Sequence, residues 1–260
     1  MERIMASNDN KVVRLLKKLK YKKYRDREAM FVAEGVRLVK EALLYADVSF
    51  LLLNEDFNED VIGDFCCDVP CYRCNSRVFG GMSDTVNSQG IIAVCRKPSA
   101  AEYKKELGRV VLILDGISDP GNMGTILRSA EAFGVKSVVV CPQCIEIYNP
   151  KVVRSSMGSV FRLNILGGDI IADMKNDDYT FVSAAAESSP YSSKNIYDCL
   201  FDYDRIAVVI GSEAHGVRTE LQAFADLNVF IPMCSPVESL NAAIAASVIL
   251  FEINRKNIVN

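Results

Sequence analysis

The 260-residue sequence contains a single histidine, His215, and that scarcity removes two kinds of chemistry. A metal site built from several imidazoles is excluded, and a Ser-His-Asp hydrolase would need its serine in a G-x-S-x-G context that the chain lacks. His215 is read as a loop residue without a catalytic role. Neither G-x-G-x-x-G nor G-x-x-x-x-G-K-[ST] follows a strand, which disfavours a nicotinamide oxidoreductase and a P-loop NTPase. No apolar run approaches the length a bilayer requires, and the polar, basic amino terminus has no apolar signal core. The chain is therefore expected in the cytoplasm, with no membrane partner. A net charge of -3 argues against a protein coated in positive charge. Internal repeats and low-complexity tracts are absent as well.

What is present starts with nine cysteines, which in a chain without an export signal read as reduced thiols. Two pairs have CxxC spacing, Cys71 with Cys74 and Cys141 with Cys144, and Cys66 and Cys67 lie near the first. The separation between the pairs is far longer than in a zinc ribbon, so no metal is assigned. A redox role for Cys-Pro-Gln-Cys is not preferred, because the motif follows the second strand of a nucleotide-binding-like pattern. Charge is unevenly placed: Lys11, Arg14, Lys17, Lys18, Lys20, Lys22, Lys23, Arg25 and Arg27 crowd a segment whose one acidic residue is Asp26. Composition leaves two readings open, a solvated helical face or a phosphate-contacting arm with Tyr21 and Tyr24 able to stack on unpaired bases.

Half of the residues are hydrophobic, enough for a sizeable core, and the length suits one large domain or two ordinary ones. Periodicity predicts a helix from about Asn8 to Leu19 and then a basic turn. Phe31-Val32 precedes a second helix that opens at Glu34-Gly35 and buries Val36, Val39, Leu43 and Leu44. A strand over 48–53, a short acidic helix over 60–65, a strand near Cys71, a helix over 76–82 and a strand over 91–95 follow. This alternation suggests a small α/β domain over 1–97. Residues 98–108 are polar and charged, as a linker should be. The pattern restarts over 109–260 with short apolar runs at 110–114, 137–141, 179–184, 206–211 and 228–231, which suit a parallel sheet.

The organising stretch is Val110 to Gly134, VVLILDGISDPGNMGTILRSAEAFG. An apolar strand breaks at Asp115-Gly116, a turn-rich loop runs to Gly121, and Ile126, Leu127, Ala130 and Phe133 then take helical spacing until Gly134. Whatever the loop presents lies at the carboxyl end of a strand, where open α/β sheets bind ligands. Arg128, about a turn and a half beyond Asn122, can face the same crevice. A second strand-end loop, Gly211 to Gly216, carries Ser212, Glu213 and His215 between two glycines. The third stretch, IPMCSPVESLNAAIAASVILFE, runs from strand residues through Ser239 and Asn241 into a helix apolar on nearly all sides. Ser239 stands where a helix cap would be, and such a helix is buried on more than one face.

Asn122-Met123-Gly124 with Arg128, Gly211-Ser212-Glu213 with Gly216, and Ile231-Pro232-Met233 followed by Glu238-Ser239-Leu240-Asn241 resemble, in order and spacing, the three motifs of the SpoU (TrmH-like) branch of the SPOUT RNA methyltransferases. The resemblance covers Val110 to the carboxyl end. Residues 1–97, most visibly FVAEGVRLVKEAL, are similar to the family's amino-terminal substrate-binding domain of ribosomal protein L30e fold. The fold class implied is α/β, a carboxyl-terminal parallel-sheet domain with a deep trefoil knot plus a smaller L30e-like domain.

The activity implied is 2'-O-ribose methylation of RNA from S-adenosyl-L-methionine. The appended domain favours ribosomal RNA; transfer RNA and a catalytically silent RNA-binding relative are the alternatives. Carried over residue by residue, the motifs place Gly211, Gly216, Ile231, Met233 and Leu240 at the cofactor. Asn122, Arg128, Glu213, Ser239 and Asn241 match the polar catalytic and substrate positions. For RNA contact the candidates are Lys17, Lys18, Lys20, Lys22, Lys23 and Arg25, with Arg154 and Ser156 from the family-like run Asn149 to Gly158. A homodimer through the carboxyl-terminal domain is implied, and no metal. The chain departs from the family at Ser235-Pro236, where a glycine is usual in the third loop.

Overall fold

The computed structural model describes residues 10–63, 69–98, 107–187, 191–234 and 239–258, together with the strand at 3–5. In chain order the first elements are β1 (Arg3–Met5), α1 (Lys11–Leu19), α2 (Lys22–Glu28), β2 (Met30–Glu34), α3 (Val36–Tyr45), β3 (Val48–Asn54), β4 (Cys71–Cys74), α4 (Ser76–Met82) and β5 (Ile91–Arg96). After them come β6 (Val110–Asp115), α5 (Pro120–Ala132), β7 (Ser137–Val140), α6 (Pro150–Ser155), β8 (Asn164–Gly167), α7 (Ile171–Asn176), β9 (Thr180–Ala184), β10 (Ser193–Asn195), β11 (Ile206–Gly211), α8 (Thr219–Phe224), β12 (Leu227–Phe230) and α9 (Ala242–Ile258).

The chain divides into two compact units, Met1–Ser99 with Glu146–Phe161 and Ala100–Ile145 with Arg162–Asn260. Residues 146–161, which the sequence reading assigned to the carboxyl-terminal domain, thus pack with the first unit. That segment begins with Glu146, whose carboxylate is drawn to Arg25 and Lys97 of the first unit.

The first unit is built on a five-stranded mixed sheet of order β1-β4-β3-β5-β2, parallel through β1, β4 and β3 and antiparallel across β5. Asn10 caps α1 by accepting from the Val12 N–H at 2.8 Å, and the helix buries Val13, Leu16 and Leu19 against Phe50, Leu52, Phe79 and Ile92. The expected basic turn is instead the helix α2, ended by Ala29 in a left-handed conformation at φ 51°. The expected acidic helix is a single 3-10 turn at Glu59–Val61, and residues 64–65 of that expectation lie outside the described residues. Strand β2 was anticipated only as the Phe31-Val32 pair before a helix, and β1, β8 and β10 not at all; none of these three exceeds four residues, too short for an alternation or an apolar run to register.

The second unit is a seven-stranded sheet of order β10-β12-β9-β11-β6-β7-β8, parallel at every pairing. From β6 the chain moves outward through β7 and β8 and then returns to β9 on the far side. The direction therefore reverses next to the pair β6 and β11. Their register sets Asp115 opposite Gly211, so the two glycine-bearing loops leave the sheet side by side. All six residues of β6 are buried, as an interior parallel strand requires. Helix α5 begins two residues earlier than the apolar spacing suggested. Asp119 accepts from the Asn122 N–H at 2.8 Å and Pro120 fills the first helical position, where the missing N–H costs nothing. At its other end Gly134, at φ 76°, lets the Val135 N–H reach the Ala130 carbonyl at 2.9 Å.

Candidate active site

At the carboxyl ends of β9, β11 and β12 the second unit encloses a cavity of about 980 Å³. Ala184, Ile210, Val229, Ile231, Leu240, Ala245 and Ile249 form apolar walls, while Ser212, Glu213, His215, Gln222 and Ser239 supply polar groups. Such a composition suits a drug-sized ligand with one flat apolar part and a few hydrogen-bonding atoms. Gly211, Gly216, Ile231, Met233 and Leu240, the five residues the motifs assign to the cofactor, all line it.

The loop after β11 is drawn into a tight hairpin. Ser212 N–H donates to the Gly216 carbonyl at 3.2 Å and Gly216 N–H returns a bond to the Ser212 carbonyl at 2.8 Å. Gly216 holds φ 64°. A Cβ on Gly211 would fall on the backbone of Gly216 and Val217, so no other residue fits there. Behind this hairpin the buried Asp115 carboxylate accepts from the Arg218 N–H at 2.8 Å and from its Nε at 2.7 Å. The hydrogen bond that Arg218 donates to Asp115, opposed by burial, raises the Arg218 pKa.

Three elements far apart in sequence meet at the rim. Asn122 Nδ2, in the first turn of α5, donates to Glu213 Oε1. Asn241 Nδ2 donates to Asn122 Oδ1 at 3.0 Å, and the Ala242 N–H at the start of α9 donates to the same Glu213 oxygen at 3.4 Å. Asn241 Oδ1 in turn accepts from the Ala243 N–H at 2.9 Å, which makes Asn241 the cap of α9. The sequence reading had offered Ser239 for that role; Ser239 instead lines the cavity. Helices α5 and α9 are held together by the 2.7 Å contact between the Ser129 and Ser247 hydroxyls and by the Phe133 and Phe251 rings, 6.0 Å apart.

The candidate site residues separate accordingly. Glu213 and Ser239 line the cavity, Asn122 and Asn241 join Glu213 at its rim, and Arg128 is exposed on α5 without contributing to the wall. Sequence reasoning missed Ala184–Glu187, Tyr191, Thr219 and Gln222 on the cavity wall and dismissed His215, which also lines it. The end of β9 is a strand end like the other three, and that signal alone would have pointed to Ala184–Glu187.

Among the RNA candidates, Lys17, Lys18, Lys22 and Lys23 are exposed on α1 and α2, while Lys20 pairs with Asp84 at 3.2 Å. Two candidates are corrected. Arg25 is buried, with four of its five N–H groups given to Glu146 Oε2 at 2.8 and 2.5 Å and to the Leu19 and Lys20 carbonyls at 2.8 and 2.9 Å, so it does not stand on the surface a phosphate would meet. Ser156 is fully buried and its hydroxyl donates to the Val153 carbonyl at 2.8 Å. Arg154 remains half-buried at the end of α6. Among the described residues no group of three or more His, Cys, Asp or Glu could hold a metal ion, and no helix is long and apolar enough to cross a membrane.

Comparison with known proteins matches residues 109–251 to the SpoU rRNA methylase family and residues 10–93 to the MRM3-like substrate-binding domain. The chain belongs to the SpoU rRNA methylase family. It is accordingly a methyltransferase. Among this family's members, the 23S rRNA (guanosine(2553)-2'-O)-methyltransferase RlmP of Bacillus subtilis is 30% identical over 96% of this chain and 98% of its own. The human mitochondrial rRNA methyltransferase 3 is 27% identical over 95% of this chain and 73% of its own. Of solved structures, an AdoMet-bound rRNA methyltransferase from Sinorhizobium meliloti superposes with a TM-score of 0.85 at 25% identity, covering 98% of both chains.

Proposed function

We propose that this SpoU family member methylates a ribose 2'-hydroxyl of large-subunit ribosomal RNA, with S-adenosylmethionine as donor. The observation that carries the reading is convergence: five cofactor positions and Glu213 with Ser239 line one cavity, and at its rim Asn122 ties to Glu213 and Asn241 to Asn122.

The cavity fits the donor. Its apolar walls from Ile231, Leu240 and Ile249 suit an adenine, and the missing Cβ at Gly211 lets the Gly216–Val217 backbone pack close enough to form the hairpin that borders the cavity. When bound, S-adenosylmethionine supplies an electrophilic methyl on a sulfonium. The chain's own residues do the rest. Glu213, fixed by Asn122 and the α9 amino terminus, orients the ribose edge of the site. The hydroxyl must shed its proton as it attacks, and a free guanidinium is a poor base. Arg128 therefore acts by stabilising the developing alkoxide, with a phosphate or water accepting the proton.

The reading includes a homodimer through the carboxyl-terminal domain. In support, Ile244, Val248 and Phe251 form an exposed stripe on α9, at 52, 37 and 48% exposure and at the spacing of one helix face. It also includes the family's deep trefoil knot in the second unit, supported by the all-parallel sheet in which β11 lies between β9 and β6. The first unit is read as an L30e-like RNA-binding domain, supported by its mixed sheet and by the exposed lysines of α1 and α2. Residues 98–108 are the linker between the two domains. The cytoplasm is the compartment proposed, and the seven described cysteines, all free thiols, agree with it. Ribosomal rather than transfer RNA is favoured because RlmP and mitochondrial rRNA methyltransferase 3, which each align with at least 95% of this chain, are named for ribosomal RNA.

The deciding assay is transfer of labelled methyl from S-adenosylmethionine to purified ribosomal RNA, with Arg128→Ala in parallel and nuclease mapping of the product. Label at a 2'-oxygen that disappears in the variant is the expected result. Cofactor binding with transfer only to transfer RNA would redirect the substrate, and binding of RNA without any transfer would establish the silent relative.

A further inference from the structure

The charge of the cavity wall has a consequence for the ligand it keeps. Two carboxylates, Glu187 and Glu213, line the cavity, and none of its described lining residues is a lysine or arginine. Among the described lining residues His215 is the one group able to carry positive charge. Glu213 has its Oε1 engaged by Asn122 and the Ala242 N–H. Glu187, in the loop that leaves β9, is exposed.

We propose that Glu187 makes this cavity select the charged methyl donor over its spent product. The inference rests on the cofactor reading given above. S-adenosylmethionine carries a sulfonium, an ammonium and a carboxylate, a net charge of one positive. On transfer the bond from carbon to the ribose oxygen forms as the bond from carbon to sulfur breaks. Sulfur keeps the electron pair and becomes a neutral thioether, and the hydroxyl proton leaves to solvent or an RNA phosphate. S-adenosylhomocysteine is then net neutral. A carboxylate beside the ligand is attracted to the first and indifferent to the charge lost in the second. For solvent-facing groups that attraction is worth roughly a three- to tenfold preference, and it is screened by salt. The loss of charge in the reaction thus itself loosens the product.

The test is calorimetric binding of S-adenosylmethionine, S-adenosylhomocysteine and sinefungin, which places an ammonium where the sulfonium stands, at pH 8 in 50 and 500 mM salt. The wild-type chain is expected to hold both cations roughly three- to tenfold tighter than S-adenosylhomocysteine at low salt, with the gap closing at high salt. Glu187→Gln is expected to remove most of the gap by weakening the two cations alone, and Glu187→Asp to keep it. Product bound as tightly as donor by the wild type at low salt, or equal weakening of all three ligands in Glu187→Gln, overturns the proposal. Failure of the wild type to bind any of the three overturns the cofactor reading itself and the selection with it.

Discussion

Asn241 donates its side-chain amide to Asn122 at 3.0 Å, joining two helix starts that are 119 residues apart in sequence. Through this bond the first turn of α5 and the first turn of α9 share one polar network with Glu213. Losing Asn122 breaks both side-chain bonds, and losing Asn241 or Glu213 leaves Asn122 held by only one of them, so their effects should be non-additive. Asn122→Ala, Asn241→Ala and the double variant are each expected to lower methyl transfer roughly 10- to 100-fold, with the double variant little worse than either single one. A double variant whose loss equals the product of the single losses would show that the two residues act independently.

Gly211→Ala places a Cβ on the backbone of Gly216 and Val217, so the Ser212–Gly216 hairpin must open. The expected outcome is loss of S-adenosylmethionine affinity by 100-fold or more in titration calorimetry, with RNA binding retained. Cofactor affinity within threefold of wild type would mean that the hairpin does not shape the site.

Arg128 is exposed and stands apart from the cavity wall. Arg128→Lys should therefore leave the cofactor Kd within about twofold while lowering kcat by about 100-fold or more, the size expected for a lost electrostatic donor. Full activity in the variant removes the arginine from the mechanism.

Arg25 distinguishes a structural cation from an RNA-contacting one. With Arg25→Ala, Glu146 Oε2 loses two N–H donors at a largely buried position while Oε1 keeps Lys97, which costs about 2 to 3 kcal/mol. Urea denaturation is expected to show that loss, while the salt dependence of RNA binding stays unchanged. Lys23→Ala should do the reverse, leaving stability alone and reducing the slope of log K against log salt by about 0.7 to 1.

Burial pushes three thiols up, Cys74 and Cys141 to about 11 and Cys95 to about 12, from an ordinary 9.0. The folded state thus keeps protons that the unfolded chain releases. Stability from these groups is fully present below pH 9 and is lost as pH rises toward 11 and 12. The denaturation midpoint is expected to fall over that range, and less steeply in Cys95→Ala. A midpoint flat to pH 11 would contradict the sign.

Much of the second unit could be read before folding was considered. The run Val110 to Leu114 is too apolar for an edge strand, Gly134 marks the end of α5, and the glycines around Glu213 mark a loop that must approach a ligand. Interior parallel strands and helix ends leave such local signatures because each is imposed by neighbours close in sequence. The short edge strand β10 left none. Nor did the burial of Arg25, since nothing in a run of lysines and arginines tells which one will face Glu146, 121 residues away. The packing of residues 146–161 with the first unit left no local signature for the same reason: their partners lie in the first hundred residues.

The sequence by itself determined the family, the three loops and seven of the residues that line the cavity, because motif residues stand at fixed local spacing. Only the tertiary structure decided which polar groups meet. The parallel register that sets Asp115 opposite Gly211, and the return of α9 onto α5, bring Asn122, Glu213 and Asn241 within hydrogen-bonding reach. It alone also decided that Glu187 faces the cavity and that Arg25 faces the interior. The physical reason is range: hydrophobic spacing and glycine conformation act over a few residues, whereas the pairing of charges is settled by which surfaces the packed sheet leaves next to each other.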